Sequence, residues 1–331
     1  MRNDSTLLLS RNDVQELLTL NDCVHAVEKV FRLQGEGKIP RSEILGVKAN
    51  GGRLHVKAGF LPGENKYLVA KLNANFPRNP ARFGLPTIQG VILVCDADNG
   101  SPLALLDSID ITIKRTAAAS AVAARFLARK NSSVATVCGC GEQGRAQLRA
   151  IHSVVPFEKI YAFDLDKSAA QNLARELSPE LKIDIETVGD AKKAVRQSDL
   201  VVTCTTATKF FVHKDDVAPG TFIAAVGADD VHKQEIDPAL MASSKIVADS
   251  LDQVCAIGDT HHAIADGLIR REDVYGELGE IVAGEKAART GDKEIIIFDS
   301  TGVAIEDAAA AAIVYEKACA QKFGNRFAFA A

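Results

Sequence analysis

The order of apolar and polar positions changes texture three times along the chain. Up to about residue 40, apolar residues recur at helical spacing. Ser10, followed three residues later by Asp13, gives an N-cap pattern ahead of Val14, Leu17 and Leu18. Asn21 and Asp22 open a second helix that buries Val24, Ala26, Val27, Val30 and Phe31 and stops at Gly35-Glu36-Gly37. From Pro40 to about Asp107, short β-rich runs at Arg53–Ala58, Tyr67–Asn73 and Thr87–Cys95 alternate with turn residues. They predict a mostly antiparallel sheet, with Asn99-Gly100 as its strongest turn. Ile111–Ala128 is Ala-rich, without Gly or Pro, and predicts a helix. After Asn131, strand-like and helix-like runs alternate, beginning with Val134–Gly139 and Lys159–Asp164 and continuing to Lys245–Ser250. Regular β-α-β alternation implies a parallel sheet covered by helices on both faces. A last strand, Glu294–Ser300, leads into an Ala-rich helix reaching about Ala320. The expected fold class is α/β: a doubly wound, Rossmann-type domain plus an α+β domain to which the last helix returns. The expected boundaries are 1–115 with 305–331 for the α+β domain and 116–304 for the other.

Composition narrows the functions. The 331 residues are 47% apolar and 25% charged, as in ordinary globular chains. A net charge of −4 and the lack of Trp give no pull toward nucleic acid or anionic membrane and no stacking platform. No apolar run approaches the ~18 residues of a bilayer span. The N-terminus lacks an apolar stretch after a basic start, so no signal peptide is expected. The seven cysteines are irregularly spaced, and only Cys138 and Cys140 are close. That is no zinc pattern, and it suggests thiols packed in a reducing, cytoplasmic compartment. No metal site is expected, because the neighbours His261 and His262 would point in different directions on a helix.

One segment carries specific chemistry. Val134–Cys138 runs into Gly139-Cys-Gly141-Glu-Gln-Gly144, a G-x-G-x-x-G loop with a helix starting inside it. Gly139 allows the tight turn, Gly141 lets backbone N–H groups approach a pyrophosphate, and Gly144 lets helix and strand close up. The next strand ends in Asp164, 20 residues after Gly144. A carboxylate there suits ribose hydroxyls and repels a 2′-phosphate, so the expected cofactor is NAD.

The flanks of this loop resemble the ornithine cyclodeaminase/mu-crystallin family, with its alanine dehydrogenase and cyclic ketimine reductase branches. The resemblance spans nearly the whole chain. Its motifs are Ile39-Pro-Arg41, Val69-Ala-Lys71, Gly84-Leu-Pro-Thr87, Asn99-Gly-Ser-Pro-Leu-Ala, Ile111-Thr-Ile-Lys-Arg115-Thr-Ala-Ala, Val226-Gly-Ala-Asp229 and Phe298-Asp-Ser-Thr-Gly302. The resemblance implies that the α+β domain serves dimerisation and substrate binding, that the protein is a homodimer, and that the active site is a cleft. It implies that Arg41, Lys71 and Arg115 hold a substrate carboxylate, with Thr87 nearby, and that Asp229 is the acid/base at the substrate amine. It also implies cofactor contacts from Arg115, Gly141, Glu142, Gln143, Asp164, Thr205, Val226, Lys233 and Ser300.

Elementary chemistry fits that casting. Lys71 interrupts an apolar strand, so it is either aimed at an anion or on a polar face; period two alone does not decide. Arg115, near a helix start, opposes the helix dipole unless an anion is present. Asp229 and Ser300 follow strands at the carboxyl ends, where open α/β sheets bind ligands. Ser300 and Thr301 would equally serve as helix caps. The expected activity is NAD-dependent hydride transfer at the α-carbon of an L-amino acid or its imine, with Asp229 moving the amine proton. Lys71, its pKa lowered by two guanidinium groups, would shuttle protons. An alternative is ornithine cyclodeamination. In the ornithine enzymes of the family, an acid for the distal amine lies in the strand before the substrate lysine. The matching stretch here is Leu54-His-Val-Lys57, without an acid, which favours dehydrogenase or reductase. His55 could be either a substrate contact or structural. A mu-crystallin-like binding protein is the alternative outside catalysis; loss of Lys71, Arg115 or Asp229 would favour it, and all three are present.

Overall fold

The computed structural model describes residues 5–40 and 42–329. The chain forms two compact units, Met1–Arg115 with Val303–Ala331, and Thr116–Gly302.

The first unit is built on a seven-stranded sheet. Its strands are β1 (Thr6–Leu9), β2 (Glu43–Ala49), β3 (Gly52–Leu61), β4 (Tyr67–Asn75), β5 (Ile88–Asp96), β6 (Pro102–Asp107) and, from the chain end, β17 (Asn325–Phe327), in the order β17-β1-β6-β5-β4-β3-β2. Pairing is antiparallel except between β1 and β6. The opening residues are therefore not all helical. Thr6–Leu9 is a strand, because four apolar residues carry no period by which to tell strand from helix. The first helix starts where Ser10 and Asp13 predict, with both halves of a capping box formed. The second is capped by Thr19 and Asp22, so it starts at Leu20, one residue before Asn21.

The C-terminal helix Ala304–Gln321 lies across β3, β4 and β5 and beside the Leu20–Gly35 helix. Its alanine tract 308–312 is buried, and Gly59 of β3 keeps the approach close: a Cβ there would meet the Ala304 methyl at 3.4 Å. The face of β4 covered by this helix carries Tyr67, Val69 and Lys71, all buried, while Leu68 points the other way and is 46% exposed.

The second unit contains β7 (Val134–Cys138), β8 (Lys159–Phe163), β9 (Asp184–Thr187), β10 (Leu200–Thr203), β11 (Thr208–Val212), β12 (Phe222–Ala225), β13 (Gln234–Ile236), β14 (Lys245–Ala248), β15 (Gly276–Glu277) and β16 (Ile296–Asp299). Eight of them form one parallel sheet in the order β15-β14-β16-β12-β10-β7-β8-β9, and β11 pairs with β13 separately. The core strands are continuous Val, Ile, Ala and Phe runs, as expected of strands buried on both faces. Strand order reverses at β7, whose neighbours are β8 and β10. This switch point is where an open parallel sheet leaves a crevice at its carboxyl end.

Candidate active site

In the first unit, Lys71 is 4% exposed and its ammonium lies 2.7 Å from Asp307. The same carboxylate takes the Nε of Arg115 at 3.0 Å, and the adjacent Glu306 takes an Arg115 terminal nitrogen at 2.7 Å. Arg115, Glu306 and Asp307 are all buried. The period-two ambiguity at Lys71 is thus resolved in favour of the face under the helix. The anion that Arg115 needs is supplied from within the chain, by two acids in the first turn of the C-terminal helix, where the helix dipole favours them. Glu306 and Asp307 had no signal in the sequence beyond being acids in an alanine-rich helix.

Burial is the largest influence on Lys71 and lowers its pKa, to about 7; Asp307 opposes the fall, and Arg115 and Lys57 add to it. The expected cause was two guanidinium groups; desolvation is the larger one, with Arg115 adding to it, and Arg41 lies outside the described residues. For Asp307, burial pushes the pKa up, but Arg115 and Lys71 more than reverse it and hold the carboxyl below its usual range. A lysine poised near neutrality beside a firmly ionised carboxylate can bind an anion and also exchange a proton. Thr112, in the first turn of the Ile109–Leu127 helix, is 3.5 Å from the Lys71 ammonium. Thr87 sits before β5, where its carbonyl accepts the Phe76 N–H. The strand register puts it at the Asn75 end of β4, four residues along from Lys71. Arg41 lies outside the described residues.

In the second unit, Gly139 has a φ of +101°, and a Cβ on it would come within 2.7 Å of the Cys204 carbonyl. A Cβ on Gly144 would come within 2.1 Å of the Gly139 carbonyl. Both glycines are therefore required by close backbone approach, at the β7–β10 switch point. The helix Glu142–His152 begins at Gly141 with no side-chain cap, and nothing stands within 4 Å of a Cβ at Gly141. Its first N–H groups are left for an anion. Glu142 is exposed, and the buried Oε1 of Gln143 has no partner among the described residues. An orphaned acceptor beside an uncapped helix start suits a dinucleotide. Cys138 and Cys140 are buried under the loop, and burial pushes both thiols up, away from reactivity.

Asp164 is half-buried at the end of β8, and its two oxygens accept the N–H groups of Cys140 (2.7 Å) and Asp166 (2.9 Å). It braces the glycine loop, and each oxygen keeps a lone pair for a ribose hydroxyl. Asp229 follows β12, is about half exposed, and is paired with Lys233 at 2.5 Å. Thr205, Val226 and Ser300 lie just past the carboxyl ends of β10, β12 and β16. Ser300 and Thr301 do not cap the last helix, whose N-cap is Val303. Their hydroxyls turn to the buried Asp249, which also accepts the Gly302 N–H.

Reading the sequence missed Glu235. This fully buried acid in β13 accepts the N–H groups of Thr205 (2.6 Å) and Gly227 (2.9 Å), and so ties together the loops after β10 and β12. Asp259 receives the N–H groups of Glu235 and Ile236, and Asp299 receives the amide and hydroxyl of Thr260. Burial pushes all three carboxyls up, Asp299 to about 6. Among the described residues, no group of His, Cys, Asp and Glu could hold a metal ion.

The glycine loop, the switch point and the strand-end acid define a Rossmann-type dinucleotide-binding unit, joined in this chain to an α+β unit with a buried cationic cluster. The profile of the ornithine cyclodeaminase/mu-crystallin family matches residues 4–322, and the chain belongs to that family. Alanine dehydrogenase of Archaeoglobus fulgidus is 36% identical over 325 residues, covering 98% of both chains. A solved archaeal alanine dehydrogenase dimer with bound NAD superposes with a TM-score of 0.94 at 37% identity, over 98% of this chain and 99% of that one. The Thermococcus litoralis Δ1-pyrroline-2-carboxylate reductase, solved with NADH and L-proline, gives 0.91 at 36% identity over 97% and 99%. The Paracoccus denitrificans iminosuccinate reductase with NAD+ gives 0.89 at 32% identity, also over 97% and 99%. No helix among the described residues is long and apolar enough to cross a membrane.

Proposed function

We propose that the protein is an NAD(H)-dependent oxidoreductase that moves hydride between the nicotinamide and the α-carbon of an L-amino acid or its imine. The observation that carries this reading is the glycine loop, with its uncapped helix start braced by Asp164. Lys71 and Arg115, with Arg41, hold the substrate carboxylate, and Asp229 serves the amine. Gly139, Gly141, Glu142, Gln143, Gly144, Asp164, Thr205, Val226, Lys233 and Ser300 hold NAD. Bound NAD supplies the hydride acceptor; the chain's own groups orient the substrate and move its protons. The solved relatives with NAD or NADH support the choice of cofactor.

Dehydrogenation and imine reduction are favoured over cyclodeamination. The β3 residues in register with Asn75, Asn73 and Lys71 are Arg53, His55 and Lys57. None of these three is an acid that could receive a distal ammonium. The working form is a homodimer joined through the outward face of the first unit's sheet, where Leu45, Val47, Leu68 and Val91 are exposed. Sedimentation at the mass of a single chain would contradict that.

The activity is tested by incubating purified protein with NAD and a panel of L-amino acids, following NADH absorbance and ammonia together. Net NADH with ammonia is expected, as is NADH consumption when imines are supplied. Ammonia without NADH would make the enzyme a cyclodeaminase. Silence in every assay would leave a binding protein.

A further inference from the structure

Strands β10 and β12 run side by side as far as Thr203 and Ala225, and their chains pair again as β11 and β13, from Thr208 and Gln234 onward. Between the two pairings they part, with residues 204–207 on one side and 226–233 on the other. The opening lies past the carboxyl ends of β10 and β12 and carries Thr205, Val226 and Asp229. One side chain spans it. Glu235, just beyond the point of reclosure, accepts the Thr205 N–H on Oε1 at 2.6 Å and the Gly227 N–H on Oε2 at 2.9 Å. The fit is close: a Cβ on Gly227 would stand 2.4 Å from the Glu235 carboxyl carbon.

An acid in this place costs stability. Glu235 is fully buried, and no Lys, Arg or His pairs with it among the described residues. The buried acids Asp259 and Asp299 act on it electrostatically. A glutamine would fill the same volume without a buried charge. It has a single acceptor oxygen, however, and its NH2 group would oppose the second N–H. Only a carboxyl receives both loops at once. The surroundings hold that carboxyl in place. Asp259 fastens β13 through the Glu235 and Ile236 N–H groups. Asp299, the last residue of β16, fastens Thr260 at the start of the Asp259–Ala265 helix. Buried acceptors thus run in series from the end of β16 to the loops after β10 and β12.

We propose that Glu235 is a positioning residue for the cofactor: its carboxyl holds the loops after β10 and β12 in the arrangement that receives NAD. This rests on the reading above, in which Thr205 and Val226 contact NAD, and it adds what keeps them in place. Asp229, two residues past Gly227, is held by the same bond. Loops fixed in advance bind without first losing the freedom of an open segment.

A residue that served the fold alone would change the melting midpoint and leave the affinity for NAD untouched. The test therefore measures both, on the full chain. By calorimetry, Glu235→Gln is expected to bind NAD at least ~10-fold more weakly, as loss of a hydrogen bond to a charged group provides. In the NAD-free protein, the amides of residues 204–207 and 226–229 should exchange with deuterium at least ~10-fold faster than in the unmodified chain. Gly227→Ala disturbs the same contact from the other side and should weaken NAD binding likewise, so the test survives if Glu235→Gln fails to fold. In turnover, the KM for NAD should rise in both variants, while the KM for the amino acid at saturating NAD stays within about twofold. Unchanged NAD affinity in a folded Glu235→Gln, or in Gly227→Ala, overturns the proposal and leaves the oxidoreductase reading intact. Weakened NAD binding in the variants, with no turnover of any amino acid or imine by the unmodified protein, upholds the positioning role and overturns the oxidoreductase reading instead.

Discussion

Lys71→Met is expected to lower kcat/KM by roughly 10²–10⁴-fold, the usual contribution of a positioned proton-transfer group. Methionine matches the buried stem of lysine, and Asp307 keeps Arg115 as its partner, so the fold should persist. The pH profile separates a proton-transfer role from simple carboxylate binding. Burial brings the Lys71 pKa to about 7, so the ammonium gives way to the free amine near neutrality. The free base is what amino-acid oxidation needs. In that direction kcat/KM should therefore rise as pH passes through about 7. In the reductive direction, which needs the acid form, it should fall over the same range. Lys71→Arg keeps the charge at every accessible pH and should erase this break while retaining part of the substrate binding. A break that survives in Lys71→Arg would remove Lys71 from proton transfer.

Asp307→Ala is expected to destabilise the protein by about 3–5 kcal/mol, the cost of breaking a buried pair by removing one partner. In this chain the loss is shared, because the Asp307 carboxylate serves the Lys71 ammonium and the Arg115 Nε together. With Asp307 gone, Arg115 keeps Glu306, but its Nε loses the partner seen in the structure. Lys71 can neutralise itself; Arg115 cannot. Scanning calorimetry should show a midpoint lowered by roughly 10 °C, against a much smaller change in Lys71→Met. Asp307→Asn should in addition move the Lys71 break to lower pH, since Asp307 is what holds that pKa up. Equal stability of Asp307→Ala and the unmodified protein would mean that the buried pair is not a structural element.

The cofactor end was legible in the sequence because backbone geometry forces its residues. Gly139 and Gly144 have no room for a Cβ, and Asp164 closes a strand at a fixed distance from them. The substrate end was legible only in part. Lys71 stood out as a charge in an apolar strand, but its direction depended on which face the C-terminal helix covers, and no local pattern encodes that. Glu306, Asp307 and Glu235 were invisible for a common reason: each is an acid fully buried by tertiary packing, whereas acids default to the surface. Each is made tolerable by long-range partners, namely Arg115 for Glu306, Lys71 and Arg115 for Asp307, and the Thr205 and Gly227 amides for Glu235. Thr6–Leu9 escaped because its strand identity is set by β6 and β17, some 100 and 320 residues away.

Direct hydride transfer from the α-carbon is the core of the proposed chemistry, and an isotope reports on it without ambiguity. The amino acid turned over in the panel is resynthesised with deuterium at its α-carbon, incubated with the protein and NAD in ordinary water, and the reduced cofactor is recovered for NMR. Deuterium on one face of nicotinamide C4, in one-to-one proportion with the oxo acid formed, is the expected result. Deuterium released to solvent, with no label on the nicotinamide, would contradict it.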